Sequence, residues 1–210
     1  MERVRINDAI CYGNGVAARY LGAACALHRP LDGGPAIRPR NLLLRLPAHF
    51  EPLRQHGLGY GHPLHTGVFD AGYTRAGDYL QAADATWFIV SQALLLPVLC
   101  VRATRVMSVM RAGQPRAVGL SGYGGLQRAS AALVLNRWPA SVLAAGSGME
   151  RAELPGDAGV GGWSVLLPAL TDVAIRSGDL LTDDLGRAGV VAAAELTELG
   201  WRLYVRQAAS

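Results

Sequence analysis

Apolar positions along this chain fall into short alternating runs and a few longer periodic ones. Arg3–Ile10 alternates, with Val4 and Ile6 on one face, and predicts a first strand. Gly13-Asn-Gly15 then predicts a turn, and Val16–Leu27 has helical periodicity. Tyr73–Leu96 is the longest helical candidate, because Leu80, Ala83, Trp87, Val90 and Leu94 fall at three- and four-residue steps; Pro97 stops it. Val98–Val101 reads as a compact strand. Ala117–Leu120 predicts a short apolar strand, Ser121–Gly125 a turn, and Leu126–Leu135 an Ala-rich helix. Ser141–Ala145 and Gly162–Leu167 read as buried strands, Asp172–Arg176 as a helix, Val190–Leu199 as a helix, and Trp201–Val205 as a closing strand.

Between these elements, residues 29–72 are rich in Pro, Gly and His, and predict a loop-rich insertion in which Arg40–Leu46 is the one short strand. The alternation of strands and helices predicts a single α/β domain over residues 1–210. No internal repeat with a period of 20–50 residues is present.

Composition narrows the chemistry. The 210 residues are half apolar, enough for a substantial core. All 20 basic residues are arginine, so Schiff-base lysine, a Walker lysine and a Ser–Lys pair are excluded. The net charge of +4 is spread from Arg3 to Arg206 without clustering, which argues against a nucleic-acid partner. Ala85–Val101 is uncharged but shorter than the roughly 20 apolar residues of a membrane span and is interrupted by Pro97. Cys11, Cys25 and Cys100 show no paired spacing and sit among apolar residues, so buried thiols in a reducing, cytoplasmic setting are expected. His62 and His65 lie in the loop-rich segment. A metal site there would need a third ligand such as Asp70, and we read them as ordinary loop side chains; no metal and no cofactor are expected. Gly13-x-Gly15 is a partial dinucleotide fingerprint without its third glycine.

Ser121 is the most suggestive single residue. It stands between an apolar strand and an apolar helix, where unpaired helix N–H groups stabilise negative charge. A hydrolase elbow would need Gly-x-Ser-x-Gly and a later histidine. The chain reads Gly119-Leu-Ser121-Gly-Tyr123, and no histidine follows His65.

From Leu120 to Leu135 and from Ser141 to Glu150, the order of strand, Gly-rich turn, buried helix and strand resembles the ketosynthase branch of the thiolase fold. Gly156–Leu167 and Leu170–Asp179 resemble that family's later Gly-rich strand and its helix with a Gly-Asp turn. The resemblance implies an α/β fold, the layered α-β-α N-terminal half of a ketosynthase-type domain with a central mixed sheet. Ser121 then occupies a degenerate nucleophile position, and the family's catalytic histidines have no counterpart. The resemblance therefore implies a truncated chain-length-factor-type subunit of a type II polyketide synthase. It would be non-catalytic, pair with an active ketosynthase subunit, meet acyl carrier protein through that complex, and shape an acyl tunnel. Trp87, Met107, Met110 and Tyr123 are the tunnel candidates, and Arg116, Val118 and Leu120 the interface strand. The alternative is a small serine-dependent acyltransferase or thioesterase in which Ser121 draws a base from His62 or His65.

Overall fold

The computed structural model describes residues 2–53, 63–113, 131–144, 162–169 and 173–207. It is built of antiparallel strands. A helix, α1 (Glu2–Leu21), precedes β1 (Ala23–His28), β2 (Leu42–Pro52), β3 (Leu64–Val68), β4 (Tyr79–Gln81), β5 (Thr86–Ser91) and β6 (Val98–Ala103). These six strands close into a barrel in the order β1-β2-β3-β6-β5-β4. β7 (Arg105–Arg111), β8 (Ala132–Ala144), β9 (Gly162–Leu167), β10 (Leu180–Asp183), β11 (Ala188–Thr197) and β12 (Gly200–Gln207) close a second.

The second barrel repeats the first. Starting from β7, its strands run β7-β8-β9-β12-β11-β10, the same path with every index raised by six. The fifth strand carries a register shift against the sixth at the same place in both, between Ile89 and Ser91 and between Val191 and Ala193. The turn before the fourth strand is also repeated. Arg75-Ala-Gly-Asp78 and Arg176-Ser-Gly-Asp179 each hold their glycine at positive φ, 94° at Gly77 and 90° at Gly178. The Gly77 N–H donates to the Ile89 carbonyl at 2.9 Å, and the Gly178 N–H to the Val191 carbonyl at 2.8 Å. Glycine carries this left-handed conformation without a Cβ clash. The repeat is about one hundred residues long, beyond the 20–50-residue window of solenoid repeats.

Successive side chains of a strand face opposite ways, and here both faces are buried around β4 to β6. Leu80, Trp87, Ile89, Val98 and Cys100 join the core of the first barrel with Cys25, Leu27 and Leu46. Their neighbours Tyr79, Phe88, Val90 and Val101 join the second core, with Val109, Leu135, Trp138 and Leu203. The barrels thus share an apolar interface. Across it the Tyr79 hydroxyl donates to the Pro139 carbonyl at 2.7 Å, and the Trp138 indole N–H donates to the Gly34 carbonyl at 2.7 Å. Tyr79 and Trp138 meet edge to face at 5.9 Å.

This architecture overturns the layered α/β expectation and the thiolase resemblance with it. The described strands close into two barrels with one α-helix beside them, not a central mixed sheet layered between helices, and closure leaves no free edge for the edge-to-edge pairing of that family. The chain-length-factor and polyketide reading loses the fold on which it rested. The individual elements show why the sequence misled. Tyr73–Leu96 is not a helix; it contains β4, β5 and the turns around them, and burial of β5 on both faces erases the alternation that marks a strand. Arg3–Ile10 is not a strand but the first half of α1. Gly13 and Gly15 lie inside that helix, and a Cβ at Gly15 would come within 2.9 Å of the Asp70 Cβ, so close approach rather than a turn calls for glycine there. Val190–Leu199, rich in helix formers, is mostly β11, and ladder pairing with β12 overrides its propensity. The 29–72 segment supplies two barrel strands, β2 and β3. Ala117–Leu120 and the first half of Leu126–Leu135 lie outside the described residues; the end of the latter belongs to β8. The strands expected at Val98–Val101, Gly162–Leu167 and Trp201–Val205 are present.

Candidate functional site

The residues singled out from the sequence do not gather in one place. Ser121, Tyr123, Arg116, Val118 and Leu120 lie outside the described residues, as does His62. Trp87 fills the first barrel, stacked on Phe50 at 4.3 Å with the edge of His65 against it at 4.7 Å. Met107 is buried in the second core, and Met110, on the same strand, is half-buried. Trp87 and Met107 therefore sit in separate cores. His65 Nδ1 lies 3.1 Å from the Pro63 carbonyl. Asp70 caps the Ala71–Tyr73 turn by accepting from the Gly72 N–H. Among the described residues no three His, Cys, Asp or Glu side chains gather as a metal-ligand set. Burial pushes the Cys11, Cys25 and Cys100 thiols up, away from the reactive thiolate.

Two surface features remain. One is an open cleft of about 710 Å³ between the barrels, walled by the β4–β5 turn, β6, β7 and β8. Arg102, Arg105 and Arg137 line it, with Asp84 and Asp184. Among the described residues none of the three guanidinium groups pairs with a carboxylate. Arg102 lies over the Trp87 ring at 6.0 Å. The cleft can receive an anionic group, but its own acids offset part of that field.

The other feature is the outer face of α1. The helix packs against β2, β3 and the 71–73 turn. The line it turns inward holds Asn7, Cys11, Gly15 and Ala18, which are small or polar. Ala18 and Cys11 are its buried residues. Its large apolar side chains point out: Ile6 is 48% exposed, Ile10 44%, Tyr20 85% and Leu21 63%. An amphipathic helix that served only its own barrel would be arranged the other way round. Beside it the β5–β6 turn exposes Leu94, Leu95 and Leu96. The Leu95 N–H donates to Asn7 Oδ1 at 3.2 Å, which ties this turn to the helix. Leu95 is held at φ 64°, a left-handed conformation that penalises a residue with a Cβ.

Reading residues 3–10 as a strand hid this face. The signal was nevertheless in the sequence, since Ile6, Ile10, Gly13, Ala17 and Tyr20 are spaced four, three, four and three residues apart. No family model, curated protein or solved structure matches the chain. No helix among the described residues is long and apolar enough to cross a membrane.

Proposed function

We propose that this chain is a non-catalytic assembly subunit: a duplicated barrel scaffold that presents the outer face of α1 to a protein partner. The observation that carries this reading is the inversion of α1, which buries Cys11 and Ala18 and leaves Ile6, Ile10, Tyr20 and Leu21 outside. Each large apolar side chain left in water forgoes about 1.5–3 kcal/mol of burial, and a contiguous set of them marks an interaction site. The shared apolar core between the barrels supports a rigid scaffold role. The reading keeps a partner subunit and drops its identity as a ketosynthase, because a closed barrel offers no sheet edge to join. We place the protein in the cytoplasm, since its three cysteines are buried and unpaired.

The test is to express the chain with the products of its neighbouring genes and measure the mass of what forms. The wild-type chain should enter an assembly of more than one chain. An Ile10→Glu variant with an unchanged circular dichroism spectrum should stay out of it. If wild type and variant both remain single chains in every combination, the reading is wrong.

A further inference from the structure

We infer that the occupant of the outer face of α1 is the α1 of a second copy of this chain, docked antiparallel. The inference rests on the assembly reading above and specifies its partner.

The spacing identifies the kind of occupant. Ile6, Ile10, Gly13, Ala17 and Tyr20 follow one another at four-three-four-three steps, the rhythm of a seam between two helices. A strand or a flat surface would not select it. The seam spans about 22 Å of helix at 1.5 Å per residue. Between Ile6 and Tyr20 it carries no charged residue: Arg5, Asp8 and Arg19 fall together on another flank of the 3.6-residue period, and Glu2 and Arg3 stand one turn before Ile6, at the end of the seam. Charged groups therefore lie at the rim of the seam, where they stay in water when it closes.

The seam is also its own complement. It reads large, large, glycine, alanine, large. Turned antiparallel about Gly13, Ile6 of one copy reaches Tyr20 of the other, and Ile10 lies over the small residues around Ala17. The two Gly13 positions meet at the centre, where a Cβ on Gly13 would meet no atom within 4 Å among the described residues of its own chain. A parallel pair would instead set Gly13 on Gly13 and Ala17 on Ala17 in successive layers, leaving a gap between the isoleucines and the tyrosines. Antiparallel helices also set each positive N-terminus beside a negative C-terminus. Leu94, Leu95 and Leu96 border the helix and extend the apolar surface.

The size of the patch sets the strength. A stable complex buries about 800 Å² on each partner. One helix seam with three leucines at its border is closer to the roughly 300–600 Å² of a large monomer patch. The pairing is therefore reversible and depends on protein concentration.

The test uses the purified full chain alone, by sedimentation velocity over a wide range of concentrations. The mass should rise from one chain to two, and Ile10→Glu should weaken the pairing at least tenfold while leaving circular dichroism unchanged. Orientation is read by disulfide trapping. A mixture of Ile10→Cys and Ala17→Cys chains should cross-link to each other, whereas either variant alone should not. A single-chain mass at every concentration, a dimer indifferent to Ile10→Glu, or cross-linking of each variant only with itself overturns the inference. If the chain stays single by itself yet joins a neighbour's product through Ile10, the second copy is refuted and the assembly reading stands.

Discussion

Arg29 grips Asp78 with two parallel hydrogen bonds, Nε to Oδ1 at 2.8 Å and Nη2 to Oδ2 at 2.7 Å, and the second barrel reproduces the grip between Arg111 and Asp179 at 2.9 and 2.9 Å. In each barrel the arginine comes from the end of the first strand or just past it, and the aspartate from the turn before the fourth. Each arginine also donates to a carbonyl of the segment leading into that turn, Tyr73 in one and Ala174 in the other. Each carboxylate also accepts the backbone N–H three residues before it, from Arg75 or Arg176. The pair ties the barrel wall to its turn.

Removing Arg111 leaves the almost wholly buried Asp179 without its charge partner, and removing Arg29 leaves the equally buried Asp78 only the exposed Arg75 guanidinium at 3.9 Å. Arg29→Ala and Arg111→Ala should each lower stability by about 3 kcal/mol, measured by urea unfolding. Because the barrels share a core, both losses should appear in one cooperative transition. Two separate transitions would show that the interface does not couple them.

Tyr79→Phe should cost about 1 kcal/mol, since it removes the one hydrogen bond from that hydroxyl across the interface and leaves the ring packing in place. Burial drives the Tyr79 phenol well above its ordinary value. In ultraviolet titration it should therefore ionise only when the protein unfolds in alkali.

His28 gives the fold an acid-sensitive point. Its imidazole is buried, its Nδ1 has no partner among the described residues, and burial lowers its pKa. The unfolded chain then takes up a proton at higher pH than the folded one. The contribution of His28 to stability is complete above about pH 6.5, is lost as pH falls from there through the lowered folded value, and levels off below it. Urea midpoints measured from about pH 8 to pH 5 should show this slope, and His28→Gln should flatten it.

The backbone makes two opposite predictions. Gly200 sits at φ 110°, and a Cβ there would come within 2.3 Å of the Leu167 carbonyl oxygen. Gly200→Ala should destabilise by about 2 kcal/mol or more, seen as a lower melting temperature. Leu95 is already at positive φ, so Leu95→Gly should relieve strain and raise stability by roughly 0.5–1 kcal/mol in the same assay.

The thiols provide a check on burial. Cys25 and Cys100 should resist a thiol reagent in the folded protein and react at once in urea. Cys11, at the contact between α1 and the barrel, should be the first to react as the helix frays. Rapid labelling of Cys100 in the folded state would contradict the packing described here.

Some of this could be read from residues alone, and some could not. Where one face of a strand is buried, alternation survives in the sequence, and Gly162–Leu167 and Trp201–Val205 were legible for that reason. Where a neighbouring barrel covers the second face, as along β5, the apolar run is continuous and takes on a helical rhythm. The two Arg-x-Gly-Asp turns were also in plain view, but their equivalence appears only once both barrels are closed. The outer seam of α1 was written at helical spacing, yet the alternation of Val4 and Ile6 pointed to a strand.

By itself the sequence determined which chemistries are unavailable to a chain without lysine, that its thiols would be buried, and where several strands lie. The tertiary structure alone decided that the strands close into two like barrels, that the N-terminus is a helix, and that this helix keeps its large apolar residues outside. Composition and short spacings are local properties, fixed residue by residue. Barrel closure and the choice of buried face depend on pairings between residues tens of positions apart, whose energies no local pattern contains.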